Sequence, residues 1–397
     1  MYGYIERFKN LGFGMFVHLG LYSVVGKGEW YLDCNKSADK TKYEALTSHF
    51  KITENWAKNL VKTAKAAGCR YITLTTRHHD GFSLYDTCGL SGFDAPHSAC
   101  GRDLILEFTE ACRAGNIVPF FYHTLLDWHN TDYKTNFPKY IDYLDKSIEI
   151  LCKNYGKIGG FWFDGMWDKP NESWQEDRLY GTIRKYQPEA MIINNTGLSA
   201  QGKTGHKEID SVTFERGKPC FVNTTNKPIA GEMCQVLNDH WGYAKEDCNY
   251  KSVKELIGNL IDCRACGCNF LLNTGLKGNG EVNGTDKSLL REIGKWVKVN
   301  RGFIYTAKPV KIKAKNAIVL SDGEKYYAIV KNVGMSANSN VALSSGAEQV
   351  KFSRRIRTAK WLDNGETIAV NPDNSFAVTP FAYGRSYSAR VAEITLK

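Results

Sequence analysis

The chain has 397 residues, 43% hydrophobic and 24% charged, with 52 basic against 42 acidic side chains for a formal net charge of +10. That composition excludes a disordered or collagen-like chain, and the length predicts two domains or one large barrel with an appendage. The basic excess is interleaved with acids, as in Lys51, Glu54, Lys58, Lys62 and Lys65, so it reads as solvated surface and no nucleic-acid partner is expected.

From Phe13 to Gly302, short β-like runs alternate with amphipathic helices. The strand runs are Phe13–His18, Tyr71–Thr76, Ile117–Tyr122, Gly160–Asp164, Met191–Asn195, Val212–Glu215, Met233–Leu237 and Phe270–Asn273. Helical spacing covers Glu54–Ala67, Arg102–Ala114, Pro138–Tyr155 and Val253–Cys266, each ending near a Gly or a turn. Near-continuous apolar strands alternating with helices imply a parallel sheet with helices outside. Eight such units in about 300 residues fit an α/β chain built as a (β/α)8-like TIM barrel. No Gly-x-Gly-x-x-Gly follows the first strand, which argues against a dinucleotide-binding sheet.

After Tyr305 the character changes. Ala317–Leu320, Tyr326–Lys331, Val341–Leu343, Ala359–Leu362, Thr367–Val370, Ser375–Val378 and Ala389–Thr395 are β-rich pieces broken by Ser-Asp-Gly, Asp-Asn-Gly and Asn-Pro-Asp-Asn turns. The expected division is a catalytic barrel over residues 1–303 and a C-terminal antiparallel β-sandwich domain over residues 304–397. The second carries no Cys and no His, so it is expected to buttress the first.

No run of about 18 apolar residues predicts a transmembrane helix, so no membrane partner is expected. Met1–Arg7 lacks the basic-then-apolar pattern of a signal peptide, with export left open if a leader lies upstream. Twelve cysteines are spread from Cys34 to Cys268, which suits reduced thiols and a cytoplasmic or otherwise reducing setting. Cys263, Cys266 and Cys268 form a tight group without a second Cys/His pair, so they read as packing at a helix end, and no metal is expected.

In a (β/α)8 barrel the C-terminal strand ends carry the site. Strand one ends at His18, followed by Gly28-Glu29-Trp30-Tyr31, and strand two at Arg77-His78-His79-Asp80-Gly81. Strand three ends at Tyr122-His123 and runs into Leu126-Asp127-Trp128-His129, and strand four is Phe161-Trp162-Phe163-Asp164-Gly165. Five of nine histidines thus fall at the first three strand ends. A metal site is one reading. Against it, His78 and His79 are adjacent on a strand and should point to opposite sides. Neutral imidazoles among aromatic rings suit sugar hydroxyls better.

Asp164 closes an aromatic strand and would project into a cleft walled by rings, as a carboxylate nucleophile for an anomeric carbon requires. A retaining glycosidase needs a second carboxyl group about 5 Å away as acid/base. Glu208 is the first choice, on a polar loop that substrate could desolvate. Glu215 is second, because an ion pair with the adjacent Arg216 would make it a poorer acid. Glu232 reads as a supporting residue behind the site.

At these residues the sequence resembles a family 29 glycoside hydrolase, an α-L-fucosidase. The matching stretches are Phe13–Ser23 with Gly28–Tyr31, Thr75–Phe82, Leu125–His129, Trp162–Gly165, Asn238–Tyr243 and Asn269–Gly275. The resemblance implies a retaining double displacement with Asp164 as nucleophile and no cofactor. It implies fucose binding by His18, Glu29, Trp30, His78, His79, Trp162 and either Tyr122 or His123, with Arg216 and Trp241 in the same set. The Ile209–Gly217 stretch looks like the branch acting on α-1,3/1,4-linked fucose, which makes fucosylated oligosaccharides or glycoconjugates the expected substrates. Leu19 stands where the family commonly has an aromatic, and Ala265–Cys268 replaces a Gly-rich turn. Alternatives are a non-catalytic fucose-binding barrel, a fucosidase of broad or α-1,2/1,6 preference, and a metal-dependent barrel hydrolase.

Overall fold

The computed structural model describes residues 2–222, 227–336 and 348–397. Eight parallel strands close into a barrel in sequence order, with β8 returning to pair with β1. They are β1 (Phe13–His18), β2 (Tyr71–Arg77), β3 (Val118–Thr124), β4 (Gly160–Asp164), β5 (Met191–Asn194), β6 (Ser211–Glu215), β7 (Ala230–Val236) and β8 (Asn269–Gly275). Every residue of β1, β2, β7 and β8 is buried, which is why their sequences are near-continuous apolar runs with no solvent face.

Two cores result. Phe16, Tyr71, Phe120, Tyr122, Trp162 and Ile193 fill the barrel interior, and a larger core lies between strands and outer helices. Gly14 makes room inside: a Cβ there would sit 2.3 Å from the Tyr71 ring. The outer helices are Trp56–Ala67, Leu104–Gly115, Phe137–Asn154, Glu176–Tyr186, Val253–Ala265 and Gly284–Val299. Trp56–Ala67 buries Trp56, Leu60, Val61, Ala64 and Ala67 along one stripe and stops where Gly68 turns left-handed at φ 90°. Asp103 caps Leu104–Gly115 by accepting from the backbone of Ile105 and Leu106.

Among the described residues no α-helix follows β5 or β6. A short 3-10 turn, Leu198–Ala200, and irregular chain take their place. The barrel therefore lacks its helical cover on that side, and the rim of the C-terminal face is built there from loops.

The C-terminal strands are β9 (Lys308–Pro309), β10 (Ala314–Lys315), β11 (Ile318–Ser321), β12 (Tyr326–Lys331), β13 (Gln349–Phe352), β14 (Ile356–Trp361), β15 (Ser375–Ala377) and β16 (Ala389–Leu396). They form a five-stranded sheet, β14-β16-β12-β11-β9, and a three-stranded sheet, β10-β13-β15. Along β12, Ala328 and Val330 enter the core between the sheets, while Tyr327 and Ile329 join the barrel core. Trp296 Nε1 donates to the Ala389 carbonyl at 3.1 Å across the same contact. The expected strand Val341–Leu343 lies outside the described residues. Thr367–Val370 contributes only a bridge from Thr367 to Lys360. The cysteine trio does pack a helix end: Cys263 is buried against Met233, and Cys266 follows the last helical residue.

Candidate active site

A cleft of about 730 Å³ opens at the C-terminal ends of the strands. Its floor is aromatic, because the interior residues nearest that end are Phe16, Trp162, Tyr122 and, above them, His18 and Trp241. Phe16 contacts Trp162 at a centroid distance of 5.1 Å and Trp241 at 5.8 Å, and Tyr122 stacks on Trp162 at 5.7 Å.

Asp164 ends β4 above this floor. Gly165 follows at φ 94°, where a Cβ would lie 2.6 Å from Leu126, so only glycine lets the chain turn this tightly behind the carboxylate. Four donors converge on the carboxylate. Tyr122 OH reaches Oδ2 at 2.9 Å and His79 Nε2 lies 3.5 Å from the same oxygen. Trp167 Nε1 and Asn195 Nδ2 each reach Oδ1 at 3.2 Å. Burial alone would raise this carboxyl. The hydrogen bond and charge of His79, with the Trp167 and Tyr122 donors, outweigh it and hold Asp164 below the usual aspartate value.

Glu215 ends β6 across the cleft. Asn195 Nδ2 donates to its Oε2 at 2.7 Å, so one amide nitrogen touches both carboxylates. Burial, then the charge of Asp164, pushes the Glu215 carboxyl above the usual glutamate value. The expected ion pair with Arg216 does not form. Arg216 takes a left-handed backbone (φ 49°) and turns away, its Nη2 donating to the Asp239 carbonyl at 2.9 Å and its guanidinium lying 5.2 Å from the Trp241 ring. The objection to Glu215 as an acid therefore falls.

The remaining lining groups suit hydroxyls. His18 Nδ1 donates to Asn273 Oδ1 at 2.7 Å, the Asn273 amide being committed to the Trp241 carbonyl. Burial lowers His18 to about 3, so the ring is neutral with Nε2 left as an acceptor. His78 is likewise kept neutral by burial, and its Nδ1 has no protein partner. Glu29 accepts from Gly242 N at 2.7 Å through Oε2, and burial raises its carboxyl. Trp30 packs edge-on against His79 and Trp128 and stacks on Trp167 at 6.2 Å, forming a wall.

Both His78 and His79 line the cleft, contrary to the expectation of opposite sides. β2 ends at Arg77, so the pair sits in a turn rather than on a strand, with ring centroids 4.3 Å apart. The objection to a metal built on strand alternation is thereby lost. Among the described residues, however, no group of three or more His, Cys, Asp or Glu is arranged to hold an ion.

Two expected site residues lie elsewhere. Glu208 lies three residues before β6 begins and so sits at the N-terminal end of the barrel, the face opposite Asp164. There its Oε2 accepts from Arg184 Nε at 3.0 Å. His123, on β3, is fully buried outside the cleft and bonded to Thr76, whereas Tyr122 faces inward. Glu232 is buried beneath the floor, accepting from Trp162 Nε1 at 3.0 Å and from Tyr71 OH. Asn195 and Trp167 were not among the expected site residues. Asn195 stood at a strand end, and Trp167 follows the nucleophile candidate by three residues, so position alone could have raised both.

Residues 2–302 match the family model for alpha-L-fucosidase. Tissue alpha-L-fucosidase of Bos taurus is 26% identical over 356 residues, covering 81% of this chain and 74% of the bovine one. Among solved structures, alpha-L-fucosidase isoenzyme 1 from Paenibacillus thiaminolyticus is 30% identical with a TM-score of 0.86, covering 99% of each chain. A GH29 alpha-L-fucosidase from Bacteroides thetaiotaomicron, solved as a covalent intermediate trapped with 2-fluoro-fucosyl fluoride, shares the fold at 21% identity. Its TM-score is 0.83, and the match covers 100% of this chain and 97% of that one. The chain belongs to the alpha-L-fucosidase family of glycoside hydrolases.

Proposed function

We propose that the chain is a retaining exo-α-L-fucosidase that releases terminal α-1,3/1,4-linked L-fucose from branched, Lewis-type glycans. The observation that carries the reading is the shared contact of Asn195 Nδ2 with Asp164 and Glu215. It puts the two carboxylates within about 6 Å of each other, near the ~5–5.5 Å that double displacement requires.

In the first half-reaction Asp164 attacks the anomeric carbon and forms a fucosyl ester, while Glu215 gives its proton to the departing glycosidic oxygen. In the second, Glu215 takes a proton from water as that water attacks the same carbon, and Asp164 leaves as a carboxylate. The pKa directions suit these parts: Asp164 is held below the ordinary aspartate value and Glu215 above the ordinary glutamate value. Phe16, Trp162 and Trp241 offer apolar rings to one face of the sugar, and His18, His78 and Glu29 meet its hydroxyls. The Bacteroides relative trapped as a covalent intermediate is consistent with this route. Two carboxyl groups suffice for the chemistry, so no cofactor is assigned.

The linkage preference is supported by the likeness of the Ile209–Gly217 stretch to that branch. The rim after β5 and β6, built from loops among the described residues, lies beside Glu215 on the side where a branched aglycone would sit. Digestion of α-1,2, α-1,3, α-1,4 and α-1,6 fucosylated glycans tests it, with release expected from the second and third. Asp164→Asn is expected to abolish turnover with the fold intact. Full activity in that variant, or fucose binding without hydrolysis by the wild-type protein, overturns the reading.

A further inference from the structure

Asn195 is held from its other side. Its Oδ1 accepts from Thr213 Oγ1 at 3.2 Å and from the Gly197 backbone N–H at 3.4 Å. A backbone N–H can only donate, so the amide cannot flip, and its nitrogen must face the carboxylates. Thr213 lies on β6 two residues before Glu215, is 1% exposed and does not line the cleft. We propose that Asn195, oriented by Thr213, is a positioning residue that ties the acid/base Glu215 to the nucleophile Asp164 and sets the pH range in which the pair works.

The inference rests on the assignment of those two carboxylates and goes one step beyond it. The two N–H bonds of one planar amide are directed at two acceptors, so the separation between the carboxylates is held by a rigid spacer rather than by two flexible side chains. Each bond also favours the ionised form of the group it touches. The other groups acting on the pair come from different elements. His79 and His18 act on Asp164 from the ends of β2 and β1, with Tyr122 from β3. Arg216, Glu29 and the Cys234 thiol act on Glu215. Asn195 alone bridges both carboxylates among the described residues.

Activity needs Asp164 ionised and Glu215 protonated, so the acid limb of the kcat/KM profile follows the first and the alkaline limb the second. Losing a donor raises a carboxyl pKa. Asn195→Ala is therefore expected to move both limbs toward higher pH, by about one unit, and to lower kcat on a poor leaving group by about tenfold. Thr213→Val removes one of the two bonds that orient the amide, leaving the one from Gly197, and is expected to shift both limbs the same way, by less. If Asn195→Ala does not fold, Thr213→Val decides alone. Limbs that stay in place while the rate falls would mean a purely structural role and overturn the inference. The carboxylate assignment itself is read separately, from Asp164→Asn turnover and from azide rescue of Glu215→Ala.

Discussion

Trp162 Nε1 donates to Glu232 Oε1 at 3.0 Å, which tethers the cleft floor to a carboxyl buried in the barrel interior. Tyr71 OH donates to the other carboxyl oxygen, and Tyr122, whose hydroxyl reaches Asp164, stacks on the same Trp162 ring. The floor, the nucleophile and a carboxyl outside the cleft are thus one packed unit. Glu232→Gln keeps an acceptor for the indole and is expected to keep most of kcat/KM. Glu232→Leu removes it and is expected to lower kcat/KM on a fucoside by about tenfold, the scale of one lost buried hydrogen bond. Equal rates in the two variants would show that the tether does not orient the floor.

Burial raises Glu232 from the ordinary 4.5 to about 7, and this makes stability depend on pH. Between those values the unfolded chain releases the proton while the folded chain retains it, so the folded state loses stability as pH rises through the window. Glu232→Gln has no such proton. The wild-type minus Glu232→Gln difference in unfolding free energy is expected to fall from pH 4.5 to about 7 and then level off. Its span is about 3 kcal/mol at one pKa unit per ~1.4 kcal/mol. Urea titrations at a series of pH values measure it, and a flat difference would mean that the carboxyl ionises freely.

Glu208 and Glu215 separate cleanly by mutation. Glu208 pairs with Arg184 at the far end of the barrel, so Glu208→Ala is expected to leave kcat/KM within about twofold of wild type. Glu215→Ala is expected to cost at least about tenfold on a poor leaving group, with recovery in azide. The reverse pattern would remove Glu215 from the mechanism.

Glu208 and Glu215 lie at opposite ends of the barrel, a difference that strand periodicity alone does not carry. Strand periodicity marked β1 and β4 to the residue, because both faces of those strands are buried and the apolar runs stop where burial stops. That reading also put Asp164, Glu215 and His18 at the C-terminal ends of their strands, where the structure has them. It could not say which end of the barrel a residue in the long β5–β6 connection occupies. With no helix there, nothing periodic marks the chain's return to the N-terminal face, where Glu208 lies. His78 and His79 lie past the end of β2 at Arg77, where strand alternation no longer governs them, so one turn carries both rings into the cleft. Asn195 carries no charge, so nothing in its residue type marks it as part of a carboxylate site.

The side of the barrel without helices is closed at its N-terminal end by one carboxylate. Asp210 is fully buried and accepts from Arg184 Nη2 at 2.7 Å, Lys227 Nζ at 2.7 Å, Tyr4 OH at 3.0 Å and Ile192 N at 2.9 Å. These donors come from the helix after β4, the β6–β7 loop, the N-terminal helix and β5, so a single side chain joins segments that a helix would otherwise pack together. Asp210→Ala leaves two cations facing each other and a backbone N–H without its partner. The expected cost is about 3 kcal/mol, toward the low end for a broken buried pair because Arg184 and Lys227 remain partly exposed. Asp164 and Glu215 are at the other end of the barrel, so kcat/KM is expected to stay near wild type while the urea midpoint falls. A midpoint unchanged within error would show that hydrophobic packing alone holds this side shut, and a large loss of activity at unchanged midpoint would show that the two ends of the barrel are coupled.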